Sequence, residues 1–237
     1  MNIAAVSFDV WDTLLRLKPF YFRIANEIGL ENNNSPTKVY EDMLKNYAVL
    51  KEYRSKGMLR YDDIVNHCLE LSSENLGIDI ELLKRSITRT ILNVEPNEIL
   101  VKEAPQVLSE LKFQGKRIVT LGNLIFWPGY YNRILLERTG LTKYFDFQLY
   151  ADEIKFSKPS KEIFLRLCHV LSLEPQRIVH IGDNKIEDYE GALNAGFYGI
   201  WLNPLYNNGV EIVNKSAIVN SISHIPKVVK VFDGDLN

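Results

Sequence analysis

Cysteine is scarce in this chain. Cys68 and Cys168 are the only two among 237 residues, far apart and without metal-ligand spacing. That excludes a disulfide framework or a zinc site and reads as reduced core residues of a cytoplasmic protein. Excess charge of one sign is also missing: 28 basic residues against 30 acidic leave no electrostatic footprint for nucleic acid or an anionic membrane surface. No apolar run approaches the roughly 20 residues that span a bilayer. The N-terminus enters an apolar strand at once, so no secretory signal is expected. Repeats and low-complexity tracts are absent. What is present is a 46% hydrophobic chain, long enough for one α/β core with a smaller insert.

Two apolar runs end in carboxylates. Ile3-Ala4-Ala5-Val6-Ser7-Phe8 leads straight into Asp9, and apolar side chains on both faces mark a parallel strand buried on both sides. The C-terminal edge of such a sheet is where ligands bind, so Asp9 is well sited as a nucleophile or metal ligand. Arg177-Ile178-Val179-His180-Ile181-Gly182-Asp183 repeats the pattern, with Asp188 following and a short helix stopped at Gly196. A tight turn on Gly182 then aims Asp183 and Asp188 at one point. With Asp9 they make the oxygen-rich site that Mg2+ prefers. Taken singly, each residue has an ordinary alternative. An Asp after a strand caps turns and helices, and Lys158-Pro159 and Gly182-Asp183 are common loop dipeptides. The ordered set carries the expectation.

Strand and helix patterns alternate except between residues 16 and 98. There the periodicity predicts successive helices over 21–28, 36–53, 61–72 and 80–92, separated by turn segments such as Asn32-Asn33-Asn34-Ser35-Pro36. Downstream, helices are expected over 104–114, 130–139 and 160–171, and strands over 116–121, 147–150, 178–181 and 199–202. A final helix over 221–232 is expected to be broken by Pro226. The rhythm predicts a doubly wound parallel sheet. Its core would comprise residues 1–15 and 99–237, with 16–98 as an inserted helical domain.

Asp9-x-x-Asp12-Thr13-Leu14, Lys158-Pro159 ahead of a helix, and Gly182-Asp183 with Asp188 resemble, in order, the first, third and fourth motifs of the haloacid dehalogenase (HAD) superfamily. The resemblance implies a Rossmann-like core whose helical cap closes over the site, and in-line displacement at phosphorus. Asp9 would attack to form an aspartyl-phosphate, which water hydrolyses. Lys158 would neutralise phosphate and carboxylate together. Mg2+ would take Asp9, Asp183 and the Trp11 main-chain carbonyl, with Asp188 at the metal or orienting Lys158. Arg16, at the first hinge, could reach a substrate anion or simply pair with an acidic neighbour. The function implied is that of a cytoplasmic Mg2+-dependent phosphohydrolase of a small phosphorylated metabolite.

Two positions depart from the family pattern. Trp11 stands where family phosphatases carry a second Asp as general acid, help worth roughly 10²- to 10⁴-fold. Asp12 is one residue late, either a substitute acid or a cap for the following turn. Gly122 replaces the usual Ser or Thr after the second strand; its N–H can still bind a phosphate oxygen, and Asn123 can offer its amide. Hydrolytic dehalogenases also carry an aromatic at the Trp11 position, but need no metal and lack the carboxylate of the Gly-Asp motif. A 2-haloacid dehalogenase and a catalytically weak phospho-ligand or partner-binding protein therefore remain as alternatives. Substrates with good leaving groups, such as acyl or aryl phosphates, would need no acid. His180 reads as a core histidine, and His67, His169 and His224 have no partners at ligand spacing. The aromatic segment from Ile125 to Tyr131 reads as a cap-docking surface. Tyr47, Tyr53, Arg54 and Arg60 are candidate specificity residues that one sequence does not rank.

Overall fold

The computed structural model describes residues 2–32, 34–124 and 126–234. Among them, seven strands form one sheet in the order β3-β2-β1-β4-β5-β7-β6. They are β1 (Ala5–Phe8), β2 (Arg117–Gly122), β3 (Phe147–Tyr150), β4 (Ile178–Gly182), β5 (Tyr198–Leu202), β6 (Val210–Val213) and β7 (Ser216–Val219). All neighbours are parallel except β6 and β7. Parallel pairs need long crossovers, usually helical, and the chain supplies them. α1 (Leu17–Asn32), α2 (Pro36–Ser55), α3 (Ile64–Leu76), α4 (Ile80–Asn93) and the single turn α5 (Pro96–Ile99) all lie between β1 and β2, followed by α6 (Ala104–Phe113). α7 (Gly129–Arg138), α8 (Ala151–Ile154), α9 (Lys161–Leu171), α10 (Gly191–Asn194) and α11 (Ile225–Asp233) serve the later strands. Among the described residues, no helix is long and apolar enough to cross a membrane.

The centre of the sheet is its most apolar part. Every residue of β1 and β4 is buried, and β1 runs between β2 and β4 with Ala5 opposite Arg117 and Ile178. Among the inserted helices, α1 packs on α2 and α4. α4 shows why these segments are helical: Leu82, Leu83, Ser86, Ile87, Thr90 and Ile91 line one buried stripe at helical spacing. Asp79 starts the helix by accepting the Leu82 N–H at 3.0 Å.

Three elements differ from the sequence reading. The sheet carries an additional β6–β7 hairpin, antiparallel within itself, with β7 inserted beside β5. Pro226 does not break the last helix. It sits in the first turn of α11, where a missing N–H costs nothing. The segment around Asp188 begins as a π-helical turn over Lys185–Glu190 and only then becomes α10. Gly196 follows at φ 89°, the left-handed conformation expected of a helix stop.

Candidate active site

Loops leaving β1, β2 and β4 meet the segment before α9 at the C-terminal edge of the sheet. The Asp9 N–H donates to the Ile181 carbonyl at 2.8 Å, which prolongs the β1–β4 ladder by one residue and fixes the carboxylate at the strand end. Lys158 Nζ lies 2.7 Å from Asp9 Oδ1 and 2.6 Å from Asp188 Oδ1, and its side chain is 1% exposed. A buried ammonium is tolerated only with such partners. Asp188 Oδ2 accepts the Asn184 N–H at 3.0 Å. A Cβ on Gly182 would lie 2.2 Å from Asp188 Cγ. Glycine is therefore required there by close approach, so that the carboxylate can fold back over the strand end.

Asp9, Asp183 and Asp188 each present an oxygen within 4.8 Å of the others. The charges show how unequal they are. Burial pushes Asp9 up to about 6, partly offset by Lys158. Burial and the charges of Asp188, Asp9 and Asp12 raise Asp183 well above the ordinary range. Against its own burial, Asp188 is held low by Lys158 and His180, and Lys158 is held protonated by the two carboxylates. Among the described residues Asp183 has no ion-pair partner. Two destabilised carboxylates beside a third, all hard oxygen donors, fit a divalent cation such as Mg2+.

Asn123, expected to offer its amide to phosphate, instead clasps the Lys158 main chain. Its Oδ1 accepts the Lys158 N–H at 2.8 Å, and its Nδ2 donates to the Lys158 carbonyl at 2.9 Å and to Glu187 Oε2 at 3.0 Å. Glu187 pairs with Arg54 of α2 at 3.1 Å, and Arg54 also donates to the Leu124 carbonyl at 2.8 Å. Tyr47, Lys51 and Arg54 roof the cavity above Asp9, Asp183 and Asp188, leaving about 20 Å³, room for little more than one water. Of the four specificity candidates, Tyr47 and Arg54 line this cavity; Lys51 and Glu187 line it too, and no sequence motif marks either of them.

The remaining expected residues are placed as follows. Gly122 ends β2, and a Cβ there would lie 3.1 Å from the Tyr150 ring, so a hydroxyl side chain would crowd that ring. Trp11 lines the cavity but is anchored elsewhere, its indole N–H donating to Asn132 Oδ1 at 3.2 Å. Asp12 sits at φ 54° and accepts the Leu17 N–H at 3.0 Å. It caps α1 and does not line the cavity; the surrounding burial raises its carboxyl, although the side chain reaches solvent. Arg16 is not at the site. It donates to the Asn97 and Glu98 carbonyls at 3.2 and 2.6 Å and lines a separate cavity of about 640 Å³ with Leu100, Val101, Lys102 and Glu103. That wider cavity holds none of the aspartates. Two unmet backbone carbonyls outbid a distant anion for its guanidinium. Phe126 and Trp127 of the aromatic segment pack on Tyr21 of α1, as a docking surface would; Ile125 lies outside the described residues.

The chain is similar to known proteins over most of its length. The chain is 23% identical to haloacid dehalogenase-like hydrolase domain-containing protein 3 of Xenopus laevis, covering all of both chains. It is 26% identical to glyceraldehyde 3-phosphate phosphatase of Methanothermobacter thermautotrophicus, over 96% of this chain and 100% of that one. The magnesium-bound HAD-hydrolase YfnB from Bacillus subtilis superposes with a TM-score of 0.77 at 20% identity, covering 97% of this chain and 99% of the other. Residues 3–196 match the family of haloacid dehalogenase-like hydrolases. The chain belongs to the haloacid dehalogenase-like hydrolase family.

Proposed function

We propose that this protein is a cytoplasmic, Mg2+-dependent phosphohydrolase of a small phosphorylated metabolite. The observation that carries the reading is Lys158, buried between Asp9 and Asp188 at 2.7 and 2.6 Å. A pre-placed ammonium beside a strand-end carboxylate suits the charge that builds during phosphoryl transfer. Asp9 forms a bond to phosphorus while the bond to the leaving oxygen breaks, and that oxygen departs with the electron pair. Water then attacks the aspartyl-phosphate; the bond from phosphorus to Asp9 breaks, phosphate and a proton leave, and the carboxylate is restored. Asp9, Asp183, Asp188 and the Trp11 carbonyl would hold Mg2+, whose charge offsets the repulsion between nucleophile and phosphate. The Gly122 N–H would meet a phosphate oxygen, while Asn123 acts on the phosphate only through Lys158.

Residues 16–98 act as a cap in this reading. A cavity of about 20 Å³ admits no phosphate ester, so α2 must lift for substrate to enter; the Bacillus subtilis structure is described as revealing interdomain movement. With Trp11 at the acid position and Asp12 engaged at α1, the leaving group must depart unaided. Acyl and aryl phosphates are therefore favoured over sugar phosphates, even though one relative is a glyceraldehyde 3-phosphate phosphatase.

The test pairs acetyl phosphate and p-nitrophenyl phosphate, each with and without Mg2+, with a 2-haloacid. Metal-dependent phosphate release is expected, and Asp9→Asn should lower kcat by at least about 10³-fold. A variant that keeps most of its activity rules out Asp9 as nucleophile. Halide release in chelator would instead mark a dehalogenase, and phosphate affinity without turnover a binding protein.

A further inference from the structure

β4 is buried along its whole length, yet its middle residue is His180, opposite Ser7 in the β1 register. Such a strand needs only apolar side chains, so a histidine there calls for partners. It has two. Ser7 Oγ lies 2.9 Å from His180 Nδ1, and His180 Nε2 lies 3.2 Å from Asp188 Oδ1. The Phe164 ring closes one side, its centroid 5.4 Å away and nearly perpendicular. Asp188, ionised beside Lys158, can only accept. Nε2 therefore carries the hydrogen, and Nδ1 of the neutral ring accepts from the Ser7 hydroxyl.

We propose that His180 is a positioning residue: its Nε2–H, oriented by Ser7, fixes the Asp188 carboxylate where Lys158 can bridge Asp188 and Asp9 at once. The inference rests on the reading of Asp9 and Lys158 given above. Asp188 Oδ1 accepts from both Lys158 and His180, and Oδ2 from the Asn184 N–H. Removing the imidazole donor leaves Oδ1 held by the lysine alone. A conserved-volume apolar side chain would then fill the core but let the carboxylate and ammonium drift from Asp9.

Two variants separate positioning from core filling. His180→Leu keeps an apolar side chain of similar size without the donor; His180→Gln returns an amide N–H near the Nε2 position. On acetyl phosphate with Mg2+, His180→Leu should lose at least about tenfold in kcat, with KM within about threefold. His180→Gln should recover most of it. In metal-free wild-type protein, ring ¹⁵N resonances should show a single Nε2–H tautomer. Full kcat in His180→Leu, equal impairment in both variants, or an Nδ1–H ring overturns the proposal. Should His180→Leu not fold, the tautomer and the kcat of Ser7→Ala, expected to fall with KM little changed, decide in its place. Wild-type inactivity on every activated phosphate overturns both readings, whereas an active wild type indifferent to His180 overturns only this one.

Discussion

Trp11 stands two residues after Asp9 as part of the core rather than as a reagent. Its indole N–H shares Asn132 Oδ1 with that of Trp127, and its ring lies 5.0 Å from Phe20 and 5.4 Å from Trp127. Replacing it with an acid would bury a carboxylate among aromatics, which is costly. The titration of the aspartates gives a sharper test. Asp9 is raised from 3.8 to about 6 and Asp183 is also raised, well above its ordinary range, so the metal-free native state binds protons more tightly than the unfolded chain. Stability of the metal-free protein therefore declines as pH rises from about 3.8 toward 6 on the Asp9 account. A divalent cation takes the ionised form, so Mg2+ loading at pH 6 should expel protons. Calorimetry in two buffers of different ionisation enthalpy measures this, and Mg2+ uptake without proton release at pH 6 would contradict the ligand assignment.

At the scale of elements, α2 is joined to the core through one buried ion pair. Arg54 and Glu187 have side chains 4% and 12% exposed, and Glu187 continues through Asn123 to the Lys158 main chain. Position of the α2 end and position of Lys158 are thus linked by contact. Removing Arg54 strands Glu187 in a buried site, a loss of about 3–5 kcal/mol. Removing both should cost less than the sum of the single changes, with a coupling of about 1–3 kcal/mol. Urea unfolding of Arg54→Ala, Glu187→Ala and the double variant measures the coupling; additive losses would show that the pair does not hold α2 down. This link was not legible in the sequence, because Arg54 and Glu187 are far apart in the chain and neither belongs to a motif. By contrast Asp9, Lys158, Asp183 and Asp188 were legible, since each follows a strand or precedes a helix at a spacing that the sheet enforces. The β6–β7 hairpin escaped because its two short strands follow one another with no helix between them, outside the strand-helix rhythm. Its turn begins at Asn214, φ 54°, without the glycine that usually signals a hairpin. His180 was visible as a polar residue in an apolar run, but the carboxylate it meets arrives only with the fold.

On the scale of the whole molecule, the two ends of the described chain are clasped at the edge of the sheet opposite the site. Asp233, which ends α11, accepts the Ile3 N–H at 2.6 Å and pairs with Lys116 Nζ at 2.6 Å. Lys116, just before β2, also donates to the Ile3 carbonyl at 2.8 Å and to Asn2 Oδ1 at 3.1 Å. The starts of β1 and β2 and the end of α11 therefore share one buried cluster, and β1 leads to Asp9 at its far end. Asp233→Leu leaves the Lys116 ammonium with neutral acceptors only, which should cost about 3 kcal/mol. For a chain of this size each kcal/mol lowers Tm by about 2–4 °C. Lys116→Met together with Asp233→Leu removes both charges and should recover most of the loss, since an apolar pair of similar volume is often neutral or better in a buried site. Thermal unfolding of the single and double variants decides it. A double variant no more stable than Asp233→Leu would mean that the Ile3 N–H, which loses its acceptor in both, holds the sheet's first strand, and not the ion pair.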